Sequence, residues 1–357
     1  MTVDIATSVE LLASAQTAEG AFPASTVHDV YQYGWLRDGS WCAYALDRAG
    51  RADAAAAWHR WVAKTLLAHE LRFEQAIQAV RTGVVHGAVM MPARFTLDGR
   101  EESPGITDEE WPNFQTDCYG FWLWALADHI TRRGRLDDTL RSAARLVIRY
   151  LLVAGDTPCY DCWEEHPGNV HTSSLASVAA GLRDIGALLD DQAAYEHAEQ
   201  LIARIAGPGH TLAGRSSVSP ATPGRRFPAV AGRPVSPGRR RRPGVPQHGD
   251  PDQRGTGHSG RRRPALPRRH LLRRERMDPA RRQLRLGAPG RRRPRAERML
   301  TWIEQAATPE GFLPEQVQYH VQSPYMLAYW REKWGATATP LLWSHAMHVV
   351  LVTELRD

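Results

Sequence analysis

The stretch DCYGFWLWALADHITRRG, residues 117–134, carries large apolar side chains three and four positions apart. That spacing places them on one face of an α-helix, and Gly134 then ends the run. The side chains are Tyr119, Trp122, Leu123, Leu126 and Ile130. No alternating strand pattern competes with this spacing over any length of the chain. The sequence is therefore predicted to fold as an all-α protein.

Helical patterns continue on both sides of this stretch. Thr172 and Ser173 are predicted to cap a helix, and Asp38 is predicted to cap another that Gly50 ends. The stripe behind Thr172 comprises Leu175, Val178, Leu182, Ile185 and Leu189. Further helices are predicted over 52–69, 190–205 and 341–355. The connection 90–115 is long, polar and rich in Pro and Gly, which is typical of loops that carry function.

One segment, 207–296, interrupts the helical pattern. It holds 24 Arg, no Lys, 14 Pro, no Trp and no Tyr, and its net charge is +20, against −14 for the rest of the chain. Such a composition buries too little apolar surface to fold. The sequence therefore predicts three parts: 1–206 as the N-terminal part of one helical domain, 207–296 as a segment without regular structure, and 297–357 as the C-terminal part of the same domain.

Composition narrows the class of protein further. The chain has 357 residues, of which 43% are hydrophobic, with 12 Trp and four Cys. No apolar run is long enough to span a bilayer, so no membrane partner is expected. The N-terminus lacks the basic region of a signal peptide, and four cysteines do not make a disulfide framework in a chain of this length. These observations predict a cytoplasmic protein with reduced thiols, and they leave its oligomeric state open.

Two short motifs each present carboxylates beside apolar residues. Glu164 and Glu165 follow Trp163, and Glu315 lies in the turn GFLPEQ, 311–316. Each motif alone is more typical of a charged surface turn. Hydrolysis of a glycosidic bond with inversion, however, needs one protonated and one ionised carboxyl group on opposite sides of the bond. The two motifs supply that pair if the fold gathers their loops at one end.

A third motif, YQYGWLRD at 31–38, combines aromatic rings with a charged pair. It is compatible with an ordinary helix N-terminus that contains an ion pair. It is also compatible with a sugar site, because Arg37 and Asp38 offer hydrogen bonds to hydroxyls while Tyr31 and Trp35 offer stacking faces.

Five stretches, in order, resemble the signatures of glycoside hydrolase family 15, which includes the glucoamylases. They are YQYGWLRDGSWCAYALDRAG (31–50), NFQTDCYGFWLWAL (113–126), CWEEHPGNVHTSSLASVAAGL (162–182), GFLPEQ (311–316) and ATPLLWSHAMHVVL (338–351). The resemblance implies an (α/α)6 barrel, here incomplete because of the segment 207–296. It implies an exo-acting, inverting hydrolase that releases glucose from the non-reducing ends of α-linked gluco-oligosaccharides without a cofactor or metal. The preferred linkage, α-1,4, α-1,6 or that of trehalose, stays open.

The resemblance also assigns roles to individual residues. Glu164 matches the general acid and Glu315 the general base. The matched substrate-binding residues are Tyr31, Trp35, Arg37, Asp38, Trp163 and Glu165, with Trp111 matched more loosely at the mouth of the site.

Three other interpretations compete with hydrolysis. The Arg runs of 207–296 would attract nucleic acid, but no aromatic residues are interleaved for base stacking, so nucleic acid is not an expected partner. The pair Cys159 and Cys162, with His166 and His171, is too cramped for a typical zinc site. A non-catalytic relative, like the barrel of phosphorylase kinase regulatory subunits, would not need both carboxylate motifs.

The composition of 207–296 is also what a G+C-rich gene yields when translated in a wrong frame. Residues 268–278 can be encoded so that dropping one base gives DDTYYGGSEWI, in which the Trp is forced by the codons of Met277 and Asp278. That peptide resembles the family block between the acid and base motifs. We therefore interpret 207–296 as out of frame, through a sequencing error or a true lesion, which puts the activity of the chain as written in question.

Overall fold

The computed structural model describes residues 3–85, 87–101, 114–164, 166–207, 211–212, 215–216, 292–317, 327–328, 331–332 and 335–356. Helices dominate these ranges. They are α1 (Ile5–Ala15), α2 (Leu36–Arg48), α3 (Ala52–Ala68), α4 (Glu70–Arg81), α5 (Asp117–Arg133), α6 (Asp138–Ala154), α7 (Thr172–Leu189), α8 (Gln192–Ala206), α9 (Arg292–Gln305) and α10 (Leu342–Arg356). The predicted all-α class is confirmed.

Two short antiparallel strand pairs and one helical turn accompany the helices. Strand β1 (Tyr33–Trp35) pairs with β2 (Arg94–Thr96), with Gly34 opposite Phe95. Strand β3 (Thr211–Leu212) pairs with β4 (Arg215–Ser216). A single 3₁₀ turn, Asp29–Tyr31, leads into β1. Strand β1 runs directly into α2, so the chain changes from extended to helical at Trp35.

The helices form two layers. Helices α10, α2, α5 and α7 contact one another in that order and are buried over most of their length, so they form the inner layer. Helices α1, α3, α6 and α8 pack on their outside. Since α2, α5 and α7 are each followed by an outer helix, the chain builds the fold from helical hairpins. The C-terminal α10 packs against α1 and α2, and so joins the two ends of the chain.

Glycines allow the inner helices α5 and α7 to approach closely. A Cβ atom added to Gly181 would lie 2.3 Å from the carbonyl oxygen of Gly120, and one added to Gly120 would lie 2.5 Å from the backbone of Ser177. The Cβ added to Gly181 would also lie 3.0 Å from Cβ of Leu123. Because the contacts advance from Gly120 with Ser177 to Leu123 with Gly181, α5 and α7 run in the same direction.

Two predicted helix caps differ from the structure. Asp38 is not the cap of α2, because Trp35 takes that position and Asp38 lies in the first turn, where a carboxylate still interacts favourably with the helix dipole. His171, not Thr172, precedes the first residue of α7.

Helix α9 begins at Arg292, so residues 292–296 of the segment predicted to lack regular structure are helical, as is the start of the C-terminal part. Pro294 is tolerated there because the first turn of a helix needs no amide donor, and Arg293 pairs with Glu297 at 3.2 Å. Ala296 is buried beside Ile303 and Leu313. Apart from β3 and β4, the predicted segment between Gly207 and Arg292 lies outside the described residues.

Two further findings concern the cysteines and the length and apolar character of the helices. All four cysteines are free and buried. Among the described helices, none has the length and apolar character that crossing a bilayer would require. The cytoplasmic location stays a prediction.

Candidate active site

An open cleft lies where the inner helices begin. Its lining comes from the loop before α2, the first turn of α2, the loop before α7, the turn 311–316 and the start of α10. The lining residues are Ala24, Tyr31, Trp35, Arg37, Asp38, Cys162, Trp163, Glu164, Glu315, Gln316, Leu341 and Trp343. Helix N-termini carry partial positive charge, so this end of the fold suits carboxylates and sugar hydroxyls.

Glu164 is held by donors from two other elements. The indole Nε1–H of Trp35 donates to its Oε1 at 3.3 Å, and the Nε2 amide of Gln115 donates to the same oxygen at 3.4 Å. The Glu164 backbone N–H donates to the carbonyl of Asp161 at 2.8 Å. Its φ of 60° lies in the left-handed region, which non-glycine residues adopt chiefly where surrounding contacts enforce it, often at functional sites.

Glu315 reaches the cleft from the turn 311–316, in the C-terminal part of the chain. Its Oε2 accepts a hydrogen bond from the hydroxyl of Tyr31 at 3.1 Å. Its backbone N–H donates to the carbonyl of Ala338 at 2.8 Å. The next contacts along the turn are to α10, whose Ser344 hydroxyl donates to the carbonyl of Pro314 at 2.9 Å. The turn is therefore attached to the rest of the fold at Pro314 and at Glu315 itself.

Arg37 and Asp38 form the buried floor of the cleft. Their exposed fractions are 4% and 7%, and Arg37 Nε lies 3.3 Å from Asp38 Oδ2. Arg37 Nη1 also donates to Gln115 Oε1 at 2.6 Å and to Asp117 Oδ2 at 3.2 Å. Within the described residues, Arg37 Nε and Asp38 Oδ2 make no hydrogen bond of good geometry, although each belongs to a group that forms strong hydrogen bonds with hydroxyls.

The environment of Asp38 changes its acidity. The pKa of its carboxyl is raised from 3.8 to about 6, chiefly by burial and also by the charges of Glu164, Asp117 and Glu315. Arg37 acts in the opposite direction and lowers the pKa. Asp38 is thus a carboxyl that takes up a proton in mildly acidic solution.

The structure brings most of the predicted site residues together. Seven of them line this single cleft: Tyr31, Trp35, Arg37, Asp38, Trp163, Glu164 and Glu315. Glu165 and Trp111 lie outside the described residues.

Comparison with known proteins agrees with this geometry. The family model described as "Glycosyl hydrolases family 15" matches residues 5–210. The isomaltose glucohydrolase of Kribbella flavida is 34% identical over 355 residues, which cover 95% of this chain and 89% of that protein. The chain belongs to glycoside hydrolase family 15. It is a glucoamylase-like glycoside hydrolase, and the family match ends three residues beyond Gly207.

Two solved structures share the fold of this family 15 hydrolase. A glycosidase variant in complex with glucose superposes with a TM-score of 0.71 at 28% identity, covering 99% of this chain and 96% of the other. A bacterial glucoamylase complexed with acarbose superposes with a TM-score of 0.54 at 15% identity, covering 98% of this chain and 55% of the other. The second likeness shows the fold alone, which is the glucoamylase-type (α/α)6 barrel predicted from the sequence.

The family 15 cleft contains residues that the sequence analysis did not assign. Trp343 at the start of α10 lies 6.0 Å from Trp163 between ring centroids, and the Arg37 guanidinium lies 5.2 Å above its ring. Gln115 joins Arg37 to Glu164 by hydrogen bonds to both. Both residues stand inside stretches that resemble the family, so their position in those stretches was the available signal.

The cysteine pair is part of the loop that carries Glu164. Cys162 lines the cleft, and Cys159 Sγ lies 3.5 Å from the Thr116 hydroxyl. Burial raises the pKa of the Cys159 thiol to about 11, which keeps it protonated. Across the described ranges, no group of three or more His, Cys, Asp or Glu side chains has metal-binding geometry.

Proposed function

We propose that this hydrolase removes glucose from the non-reducing ends of α-linked gluco-oligosaccharides with inversion at the anomeric carbon. The observation that carries the proposal is that Glu164 and Glu315, from distant parts of the chain, line one cleft. The name of the Kribbella relative and the glucose complex of the similar glycosidase support a glucoside as substrate. They also make isomaltose the first substrate to test.

In the proposed reaction, the protonated Glu164 donates its proton to the glycosidic oxygen as the bond to the anomeric carbon breaks. The ionised Glu315 removes a proton from a water molecule, whose oxygen bonds to the opposite face of that carbon. Because Trp35 and Gln115 both donate to Oε1 of Glu164, the transferable proton belongs on Oε2. The Tyr31 hydroxyl holds the Glu315 carboxylate by its Oε2.

The floor of the cleft recognises the terminal sugar in this proposal. Arg37 and Asp38 bind its hydroxyls, and the rings of Tyr31, Trp35 and Trp163 enclose its apolar faces. A buried charged floor accepts a chain end and excludes the middle of a polysaccharide, which accounts for exo action. Glu165 and Trp111 remain predicted contacts to the substrate, and the reaction requires no cofactor.

Two isosteric substitutions test the assignment. Glu164→Gln and Glu315→Gln each keep a side-chain oxygen for the existing hydrogen bonds but cannot transfer the proton. Each is expected to lower kcat on isomaltose on the order of 10³-fold or more, as loss of an essential acid or base does. NMR of the first product formed is expected to show β-glucose. Near-normal turnover in either variant, or initial release of α-glucose, contradicts the proposal.

We also propose that 1–206 and 297–357, together with 292–296, form one catalytic domain and that the segment between them is encoded out of frame. Its composition has no counterpart elsewhere in the chain, and the family match ends at residue 210. The hydrolytic activity is accordingly assigned to the chain with that segment restored to frame.

A further inference from the structure

A buried cluster on the side of α10 lies outside the cleft. Ser8 of α1 places its hydroxyl oxygen 2.9 Å from Nδ1 of His345 and 2.9 Å from Nδ1 of His348. All three side chains have no exposed surface. Nothing in the proposed reaction uses them, yet burying two imidazoles and a hydroxyl is costly unless their hydrogen bonds are satisfied.

A backbone amide sets the tautomer of His345. The N–H of Leu313 donates to Nε2 of His345 at 2.9 Å, so that nitrogen carries no proton. The neutral ring then has its proton on Nδ1 and donates it to the Ser8 oxygen. The same Ser8 oxygen lies 2.9 Å from Nδ1 of His348. The hydrogen bonds therefore link Leu313 to Ser8 through the ring of His345.

Both imidazoles are neutral in this arrangement. Burial, together with the smaller effect of His348, lowers the pKa of His345 to about 3. Burial also lowers the pKa of His348 to about 4, although Asp4 acts to raise it. Only a neutral ring leaves Nε2 of His345 free of a proton, so that it can accept from the Leu313 amide.

The amide that His345 binds belongs to the turn that carries Glu315. Leu313 is two residues before Glu315, its carbonyl accepts from the Leu341 N–H at 2.9 Å, and its side chain is fully buried. On the other side of Leu313, Gly311 has a φ of 85°. His345 is thus the side chain that binds the backbone N–H of Leu313, two residues before the carboxylate, while the Thr308 hydroxyl binds that of Phe312 next to the bend at 3.2 Å.

We propose that His345 is a positioning residue for Glu315, which holds the turn 311–316 at the distance from the substrate that the attacking water requires. The proposal rests on the proposed function, because it assigns Glu315 as the base. A misplaced base slows the chemical step and leaves the sugar-binding floor intact, so the effect falls on kcat more than on KM.

Two substitutions of His345 separate its two hydrogen bonds. In His345→Gln, the longer amide can place an oxygen near the Nε2 position and accept from Leu313. In His345→Asn, the shorter amide can reach Ser8 but not Leu313. We expect the Asn variant to lose at least 10-fold in kcat with KM changed less than 3-fold, and the Gln variant to recover most of that loss.

His348→Asn is the matched control. It makes the same substitution one turn further along α10, next to the same Ser8, but at a residue that has no bond to the turn. We expect it to lower the thermal midpoint about as much as His345→Asn does while kcat stays within 3-fold of the parent. If kcat falls equally in both Asn variants, or equally in His345→Asn and His345→Gln, the role is structural and the proposal is wrong.

Two further measurements make the test independent of the overall assignment. Hydrogen exchange of the peptide containing Leu313 is measured in the full-length chain as written, and it should accelerate in His345→Asn but not in His348→Asn. Equal exchange rates overturn the proposal.

Turnover is measured in the frame-restored chain with isomaltose and with α-glucosyl fluoride, whose leaving group needs little protonation. The defect of His345→Asn should persist on the fluoride, whereas that of Glu164→Gln should diminish. If Glu164→Gln and Glu315→Gln remain active, the proposed function itself fails.

Discussion

At the residue scale, the floor carboxyl Asp38 couples the stability of the fold to pH. The carboxyl of an unfolded Asp has a pKa near 3.9, whereas burial raises that of folded Asp38 to about 6. The folded state therefore keeps a proton that the unfolded state has already released between these values. Stability from this group is fully present below about pH 4 and is lost as the pH rises through 6.

Asp38→Asn should remove that dependence, because Asn does not ionise. Between pH 4.5 and pH 7, the free energy of unfolding of the parent should fall more than that of the variant, by about 2 kcal/mol for a shift of this size. Urea unfolding at the two pH values measures the difference. Parallel pH profiles for parent and variant would show that Asp38 is not protonated in the folded state.

Glu164 offers a second test at this scale, through its left-handed backbone. A residue with a Cβ atom destabilises the folded state by roughly 1–2 kcal/mol in that conformation, whereas glycine, which has no Cβ atom, does not. Glu164→Gly should therefore unfold at a higher temperature than Glu164→Ala, although glycine normally destabilises a chain relative to alanine. Calorimetry of the two variants checks the order of the midpoints. The reverse order would mean that the φ of 60° is not enforced in solution.

At the scale of elements, the contact between α5 and α7 depends on the absence of side chains. In Gly181→Ala the new methyl would lie 2.3 Å from the Gly120 carbonyl oxygen, so the helices have to separate. We expect a loss of about 3 kcal/mol or more, at the upper end of typical overpacking costs.

Gly168→Ala is the control for this helix contact. A Cβ at Gly168 meets nothing within 4 Å, so its thermal midpoint should stay within about 1 °C to 2 °C of the parent, as for an unconstrained surface change. Equal midpoints for Gly181→Ala and the parent would contradict the close packing of α5 against α7.

The helices also show which features the spacing of apolar residues can predict. The stripe of α5 was predictable because its apolar residues repeat at helical spacing, and the left-handed Gly134 ends the helix as expected. The predicted cap of α2 was wrong because β1 runs straight into the helix. The preference of aspartate for cap positions does not encode this tertiary arrangement. The bonds from Ser8 to His345 and from Tyr31 to Glu315 join residues hundreds of positions apart, and no local pattern specifies them.

At the scale of the whole molecule, the frame of the segment after Gly207 decides whether the barrel is complete. Resequencing the DNA for 207–296 should reveal a missing or extra base near each end. Mass spectrometry of the protein from its source should detect tryptic peptides of the other frame, including one with the sequence DTYYGG. The restored chain should hydrolyse isomaltose much faster than the chain as written. Peptides that match residues 225–293 as written here would contradict this proposal.

The packing of α10 between α1 and α2 has a consequence for biosynthesis. A ribosome adds roughly 5–20 residues per second, so α1 leaves it roughly 20 s to one minute before α10 is made. During that time the faces of α1 and α2 that pack against α10 in the finished protein have no C-terminal helix to cover them. The nascent chain thus has to be protected from association until α10 is complete. A product truncated before Leu342 is a substrate for chaperones and proteases even though it already contains both carboxylates.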